Sequence, residues 1–132
     1  MKQLLLICCS MCLMGGVALG QGGQWASKVL EVSTEYRDAN NPGQWSAQQA
    51  LGPPSVDPAV SKGSECAWSP ADADSGREEY IKLGFEKAIN VQQIAISEVL
   101  GASSIVKVIL FDSRNTPNVV WTNPAIGPAA TP

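Results

Sequence analysis

The chain has 132 residues, 45% of them hydrophobic, with nine basic against twelve acidic side chains, a formal net charge of −3 and no histidine. Without histidine there is no Ser-His-Asp or Cys-His arrangement and no His-ligated zinc site. The mildly acidic, dispersed charge argues against nucleic acid or an anionic membrane as partner, since both call for a basic stripe.

The first twenty residues read as an export leader. Lys2 supplies the positive start, Leu4 to Val17 an apolar core, and Ala18-Leu-Gly20 a small-x-small cleavage site before Gln21. The apolar run, about 14 residues, is shorter than the roughly 20 that a spanning helix needs, which favours a leader over a retained anchor. Cys8, Cys9 and Cys12 lie inside it, and none follows the small residue of a lipoprotein signal. Cys66 is then the one cysteine of the mature chain, which must stand on its core without an internal disulfide. In the run Cys66-Ala-Trp68 it is expected to be a small buried hydrophobe rather than a reactive thiol. Cleavage also removes Lys2, leaving eight basic against twelve acidic residues and a net charge of −4.

The mature part, residues 21 onward, is long enough for one domain and not two. A first strand is expected at Lys28 to Thr34, with Leu30 and Val32 on one face and Val29, Glu31 and Ser33 on the other. A polar loop, Tyr36 to Gly43, carries Asn, Pro and Gly as turn formers. Ser46 followed by Gln49 reads as a capping box that opens a helical turn at Ala47, with Trp45 stapled onto Ala50. Gly52 in a left-handed conformation and Pro53-Pro54 stop that helix after little more than one turn.

Two loops, Ser55 to Glu65 and Ser69 to Arg77, flank Cys66-Ala-Trp68 and lead to a strand at Glu79 to Phe85. There Ile81, Leu83 and Phe85 share one face while Tyr80 and Lys82 share the other. Ile89 and Val91 fall on odd numbers and Ile94 and Ile96 on even ones, so a β-bulge at Gln92-Gln93 is expected to return both pairs to the core. Ile105 to Phe111, apolar on both faces apart from Lys107, reads as a central strand, and Asn118 to Trp121 as a weaker last one. The end, residues 123 to 132, is rich in Pro and Ala and unsuited to a continuous ladder. A closed sandwich has seven or eight strands, more than are legible here. The expectation is therefore a truncated domain, the alternative being a linker to a further module.

In order, the segments Ser46-Ala-Gln-Gln-Ala-Leu-Gly-Pro-Pro54, Trp68-Ser-Pro70 and Glu79-Tyr-Ile-Lys-Leu-Gly-Phe85 resemble the galactose-binding-like β-sandwich superfamily, which includes discoidin or coagulation-factor type C domains and bacterial carbohydrate-binding modules. The likeness spans Ala26 to Trp121. It is nearest to a bacterial branch of exported proteins, some with an OmpA-type peptidoglycan-binding domain. The resemblance implies an all-β jelly-roll β-sandwich with one short helical turn, whose loops at one end bind sugars, lipid headgroups or proteins. The domain would span residues 21 to 122. This sequence departs from the superfamily in lacking the last strands, which often help to close the ligand site.

Several patterns compete with plainer explanations. Asp72-Ala-Asp74-Ser-Gly76 looks like part of a calcium loop, but Gly76 stands fifth and Leu83 twelfth, where an EF-hand needs Gly sixth and Glu twelfth. Asp72 and Asp74 are therefore either calcium ligands or residues of an Asp/Gly turn. Ser104-Ile-Val-Lys107 matches Ser-x-x-Lys by letters alone, since on a strand the odd offset puts the two side chains on opposite faces. Glu78 and Glu79 are separated by the same alternation and do not pair with each other for glycosidase chemistry, which leaves Glu65 or Asp72 as the carboxyl that could approach one of them. The strongest ligand set is Tyr36, Arg37, Asp38 and Asn40, one aromatic with polar partners in a single loop. Each of the four also serves as an ordinary solvated turn residue.

The sequence thus points to a non-catalytic, exported recognition module, periplasmic, cell-surface or extracellular. Its expected partner is a glycan or a cell-envelope protein. It needs no cofactor, apart from the calcium considered for Asp72 and Asp74. The alternative is a structural module that packs against another domain and has no small ligand.

Overall fold

The computed structural model describes the backbone of residues 2–6 and the full residues 23–54, 66–72, 76–99 and 104–125. The apolar centre of the leader, its cleavage site, Cys8, Cys9, Cys12, Ser55 to Glu65, Asp74 and residues 126 to 132 lie outside the described residues.

Five strands form one mixed sheet: β1 (Lys2–Leu6), β2 (Lys28–Val32), β3 (Glu78–Gly84), β4 (Ile105–Phe111) and β5 (Pro117–Thr122), with spatial order β2-β3-β1-β4-β5. Two antiparallel pairs, β2 with β3 and β4 with β5, flank β1, which runs parallel to both of its neighbours. The fold is all-β apart from a single 3-10 turn, Ala47–Ala50. No described residue forms the second sheet of a jelly roll.

The strands follow from the side chains. In β3, Glu79, Ile81 and Leu83 are buried while Tyr80 and Lys82 are half-buried, the period-two pattern of a strand with one face in the core. Ile81 has no exposed surface, and removing its side chain from water contributes about 1.5–3 kcal/mol. Ala26, Ala47, Ile81 and Leu83 form the core beneath the first pair, with Val29, Val32, Ala50, Leu51, Trp68 and Phe85 packed around it. In β4, Ile105, Val106 and Val108 are buried on both faces, as a central strand requires. The last strand is exposed along its whole length.

Four expectations are corrected. First, β2 does not keep one alternation: Val29 pairs with Leu83 but Glu31 with Lys82, and this bulge leaves Leu30 53% exposed while Val29 and Val32 turn inward. Second, Ile89 to Ile96 is not a strand, because no neighbouring chain among the described residues offers it a ladder. Val91, Ile94 and Ile96 nevertheless line one cavity of about 440 Å³ against Ile105, Val108, Leu110, Val120 and Trp121. Third, Cys66 is exposed, not buried. It sits in a turn, one step outside the half-buried Trp68, whose indole faces the core.

The capping box is the fourth. The Ser46 hydroxyl donates to the Gly43 carbonyl (2.8 Å), the Gln49 amide side chain donates to the same oxygen (2.9 Å), and the Ser46 side chain makes no cap bond. Both side chains thus tie down the preceding turn. A carboxylate from elsewhere caps the helical turn instead: Glu35 Oε2 accepts from the Ala47 backbone N–H at 3.0 Å. Gly52 takes the expected left-handed conformation (φ +75°) and its N–H donates to the Ala26 carbonyl, fastening the turn to the start of β2.

Candidate functional site

Three segments meet where β2 ends and β3 begins: residues 33–38, 43–46 and 68–72. At their centre is Glu79, a carboxylate with only 3% of its side chain exposed. Ser33 Oγ donates to Glu79 Oε2 at 2.5 Å and Thr34 Oγ1 donates to the same oxygen at 2.7 Å. Arg77 Nη2 lies 3.7 Å from the other oxygen. Each hydroxyl also accepts a backbone N–H, Ser33 from Tyr80 and Thr34 from Ala71. A buried charge is tolerable only with such partners, and here they join three chain segments.

Further bonds complete the frame. The Trp68 indole N–H donates to the Thr34 carbonyl (2.9 Å), Tyr36 N–H to the Ser69 carbonyl (2.8 Å), and Ser69 N–H to the Trp45 carbonyl (3.0 Å). Trp45 itself has φ +56°, a left-handed conformation that costs a bulky L-residue about 1–2 kcal/mol. Its ring meets Tyr36 edge-on, with centroids 5.4 Å apart at 89°. The surrounding bonds fix the conformation, and the result is an exposed tyrosine braced by a tryptophan at the end of the sheet.

The expected ligand set is thereby sorted. Tyr36 stands exposed on a rigid support. Arg37, 84% exposed, ion-pairs with Glu35 at 3.3 Å. Asp38 and Asn40 belong to one turn, in which Asp38 Oδ1 accepts from the Asn40 backbone N–H at 2.8 Å and Oδ2 from the Asn41 side chain at 3.4 Å. That backbone bond, then the side-chain bond, holds the Asp38 carboxyl below its ordinary value. The loop therefore brings the four residues together while giving Asp38 and Asn40 a turn-building role.

Asp72 Oδ2 is 3.4 Å from Arg77, and Asp74 lies outside the described residues. Among the described residues no group of three or more acidic or cysteine ligands converges.

The structure adds Glu35, Trp45 and Glu79 to the site. Glu79 carried a signal in the sequence, since it shares the parity of Ile81, Leu83 and Phe85 and so faces inward. The left-handed backbone of Trp45 had none.

The molecule is β-rich, and its polar groups at the loop end hold the loop segments to one another. The family can be stated as well. Residues 18–116 match the family model described as Pappalysin-1, SD scarf domain, C-terminal, and the chain belongs to that family of extracellular accessory domains. No curated protein and no solved structure gives a significant match. No helix among the described residues is long and apolar enough to cross a membrane.

Proposed function

We propose that this chain is an exported recognition module that engages a glycan or a cell-envelope partner through the loop end carrying Tyr36, Arg37, Asp38 and Asn40, and that its architecture is a β-sandwich of galactose-binding-like, jelly-roll type. The leader at residues 1–20 and the family's extracellular character support export. The observation that carries the binding site is the Tyr36–Trp45 pair. The exposed Tyr36 ring, held edge-on against a Trp45 whose own backbone is left-handed, is suited to stacking on a sugar face, and strain of the Trp45 kind clusters at ligand-binding positions. Arg37 and the Asp38–Asn40 turn would supply polar contacts around that ring.

Glycan-array binding compared between the chain and its Tyr36→Ala variant tests this reading. Loss of about tenfold or more in affinity, the equivalent of about 1.4 kcal/mol, with unchanged thermal unfolding is expected. Undiminished binding by the variant would remove the loop from the site.

A second reading, a module that packs against another domain, is favoured by one specific observation. Val119, Val120 and Trp121 on β5 are exposed one after another on an edge strand, an unguarded apolar surface of the kind that marks an interface. The two readings use opposite ends of the sheet order and are compatible in one molecule.

A further inference from the structure

The cavity over β4 and β5 belongs neither to the loop that carries Tyr36 nor to the core beneath β2 and β3. Its volume of about 440 Å³ lies within the range of about 300–1,000 Å³ of small-molecule sites. Packed interiors hold few voids larger than a water molecule, so a cavity of this size is a feature of the fold rather than a packing fault. Burial falls in steps from its floor to its mouth. Ile105 and Val108 are buried at the bottom, and Ile94, Ile96 and Leu110 are half-buried along the sides. Gln92, Gln93, Val120 and Trp121 stand exposed at the rim.

Two irregularities of the backbone build this lining. Along β4 and β5, Val108 pairs with Trp121 but Ile109 with Val119, so Val120 is an extra residue in β5. Strict alternation would send Val120 and Trp121 to opposite faces, whereas the bulge brings both into the cavity lining. Bulges recur beside binding and catalytic sites because they re-aim a side chain in this way. On the facing side, residues 91–96 have strand composition but no ladder partner among the described residues. Their Val91, Ile94 and Ile96 side chains form a wall of the cavity instead.

We propose that this cavity is a binding site for an uncharged amphipathic small molecule, with an aliphatic or ring body and one hydroxyl, amide or ester group. The lining sets that chemistry. None of the lining residues is charged, so an ionic group taken in among them would lose its water without gaining a counter-charge. Ile105, Val108 and Leu110 offer no side-chain hydrogen bond, which assigns the apolar body to the floor. At the rim, the carboxamides of Gln92 and Gln93 both donate and accept, which suits the neutral polar group. The site shares no residue with the Tyr36 loop, so it goes beyond the glycan reading and either can fail without the other.

The test titrates the full chain with N-phenyl-1-naphthylamine, an uncharged fluorophore whose emission rises in apolar surroundings. Competition follows with 1-decanol and with decanoate at about pH 8, where the carboxylate is charged. The expected result is one saturable site per chain, displaced by decanol and by decanoate only at concentrations about tenfold higher or more. Ile94→Trp, which fills the cavity from its wall, should weaken the fluorophore about tenfold with an unchanged thermal midpoint. Should that variant fail to fold, intermolecular NOEs from decanol to the Val108 and Leu110 methyls of the unaltered chain decide the location. Binding that does not saturate, equal displacement by decanoate, full affinity of a folded Ile94→Trp chain, or NOEs only to other residues would each overturn the proposal. A dimer that takes up the fluorophore only when diluted to monomers would overturn it in favour of a second copy as the occupant.

Discussion

The two antiparallel pairs are built to opposite rules. Around β2 and β3 the contacts that join the separate loop segments are polar and long-range in sequence: Ser33 and Thr34 to Glu79, Trp68 to Thr34, Glu35 to Ala47. Around β4 and β5 the surface is apolar and uncovered, with Val119 to Trp121 exposed and a cavity between β4 and residues 91–96. The first region shows how a small core can be supplemented by a buried carboxylate that gathers loops. The second shows a sheet that is well paired by its backbone yet unfinished as a surface, because pairing satisfies N–H and C=O groups but does nothing for an outward-facing valine.

The comparison breaks most sharply at Ile81. Truncating this fully buried residue to alanine removes the centre of the first pair's core and should cost about 2–5 kcal/mol, read as a lower denaturation midpoint at unchanged slope. Next in size is Glu79→Ala, which takes the acceptor from the Thr34 hydroxyl and leaves the Ser33 hydroxyl only the Tyr80 carbonyl, and should cost about 1–3 kcal/mol. A cost below about 1 kcal/mol would mean that the carboxylate does not hold the loops. On the other pair, Val119→Lys, at a position 59% exposed, should change stability by less than about 0.5 kcal/mol and reduce self-association seen by light scattering. If it unfolds the protein instead, β5 is covered and the contrast between the two pairs fails.

The legible part of the fold and the illegible part divide along the same line. The strands at Lys28, Glu78 and Ile105 were readable because alternation or a continuous apolar run leaves a direct trace in the sequence. Even the weak β5 was found, two residues short of its full length. The inward parity of Glu79 was available too, although its partners Ser33 and Thr34, more than forty residues away, were not. Three features depend on tertiary partners and escaped. Residues 89–96 have strand composition but no neighbour to pair with. Leu30 was placed with Val32 because a bulge is invisible in the alternation that it interrupts. Ser46 and Gln49 had the letters of a capping box, but the Gly43 carbonyl, brought close by a turn with φ +99° at Gly43, outcompeted the helix for both. As for the candidate site, the sequence places Tyr36, Arg37, Asp38 and Asn40 in one loop, while Trp45, whose ring meets Tyr36 edge-on, had no sequence signature.

The smallest expected effect concerns the loop at residues 36–41. Hydrogen bonds from the Asn40 backbone and the Asn41 side chain favour the ionised form of Asp38, so its folded-state pKa lies below the ordinary value of 3.8. A carboxyl depressed on folding contributes stability above its unfolded pKa, and that contribution is lost as pH falls through the folded value. The turn at residues 38–41 should therefore be intact at pH 5 and above and loosen only in acid, below about pH 4. The same reasoning applies to Asp112, whose carboxyl is lowered first by the Thr116 backbone N–H and also by that of Arg114. Asp112 is exposed and Asp38 half-buried, and each carboxyl bonds only within its own turn, so global stability should hardly register the change. The readout is local: the Asn40 and Thr116 amide resonances should titrate in this acid range, and Asp38→Asn should abolish the first while leaving the second. An Asn40 resonance that still titrated in the variant would place the acid-sensitive group elsewhere in the loop.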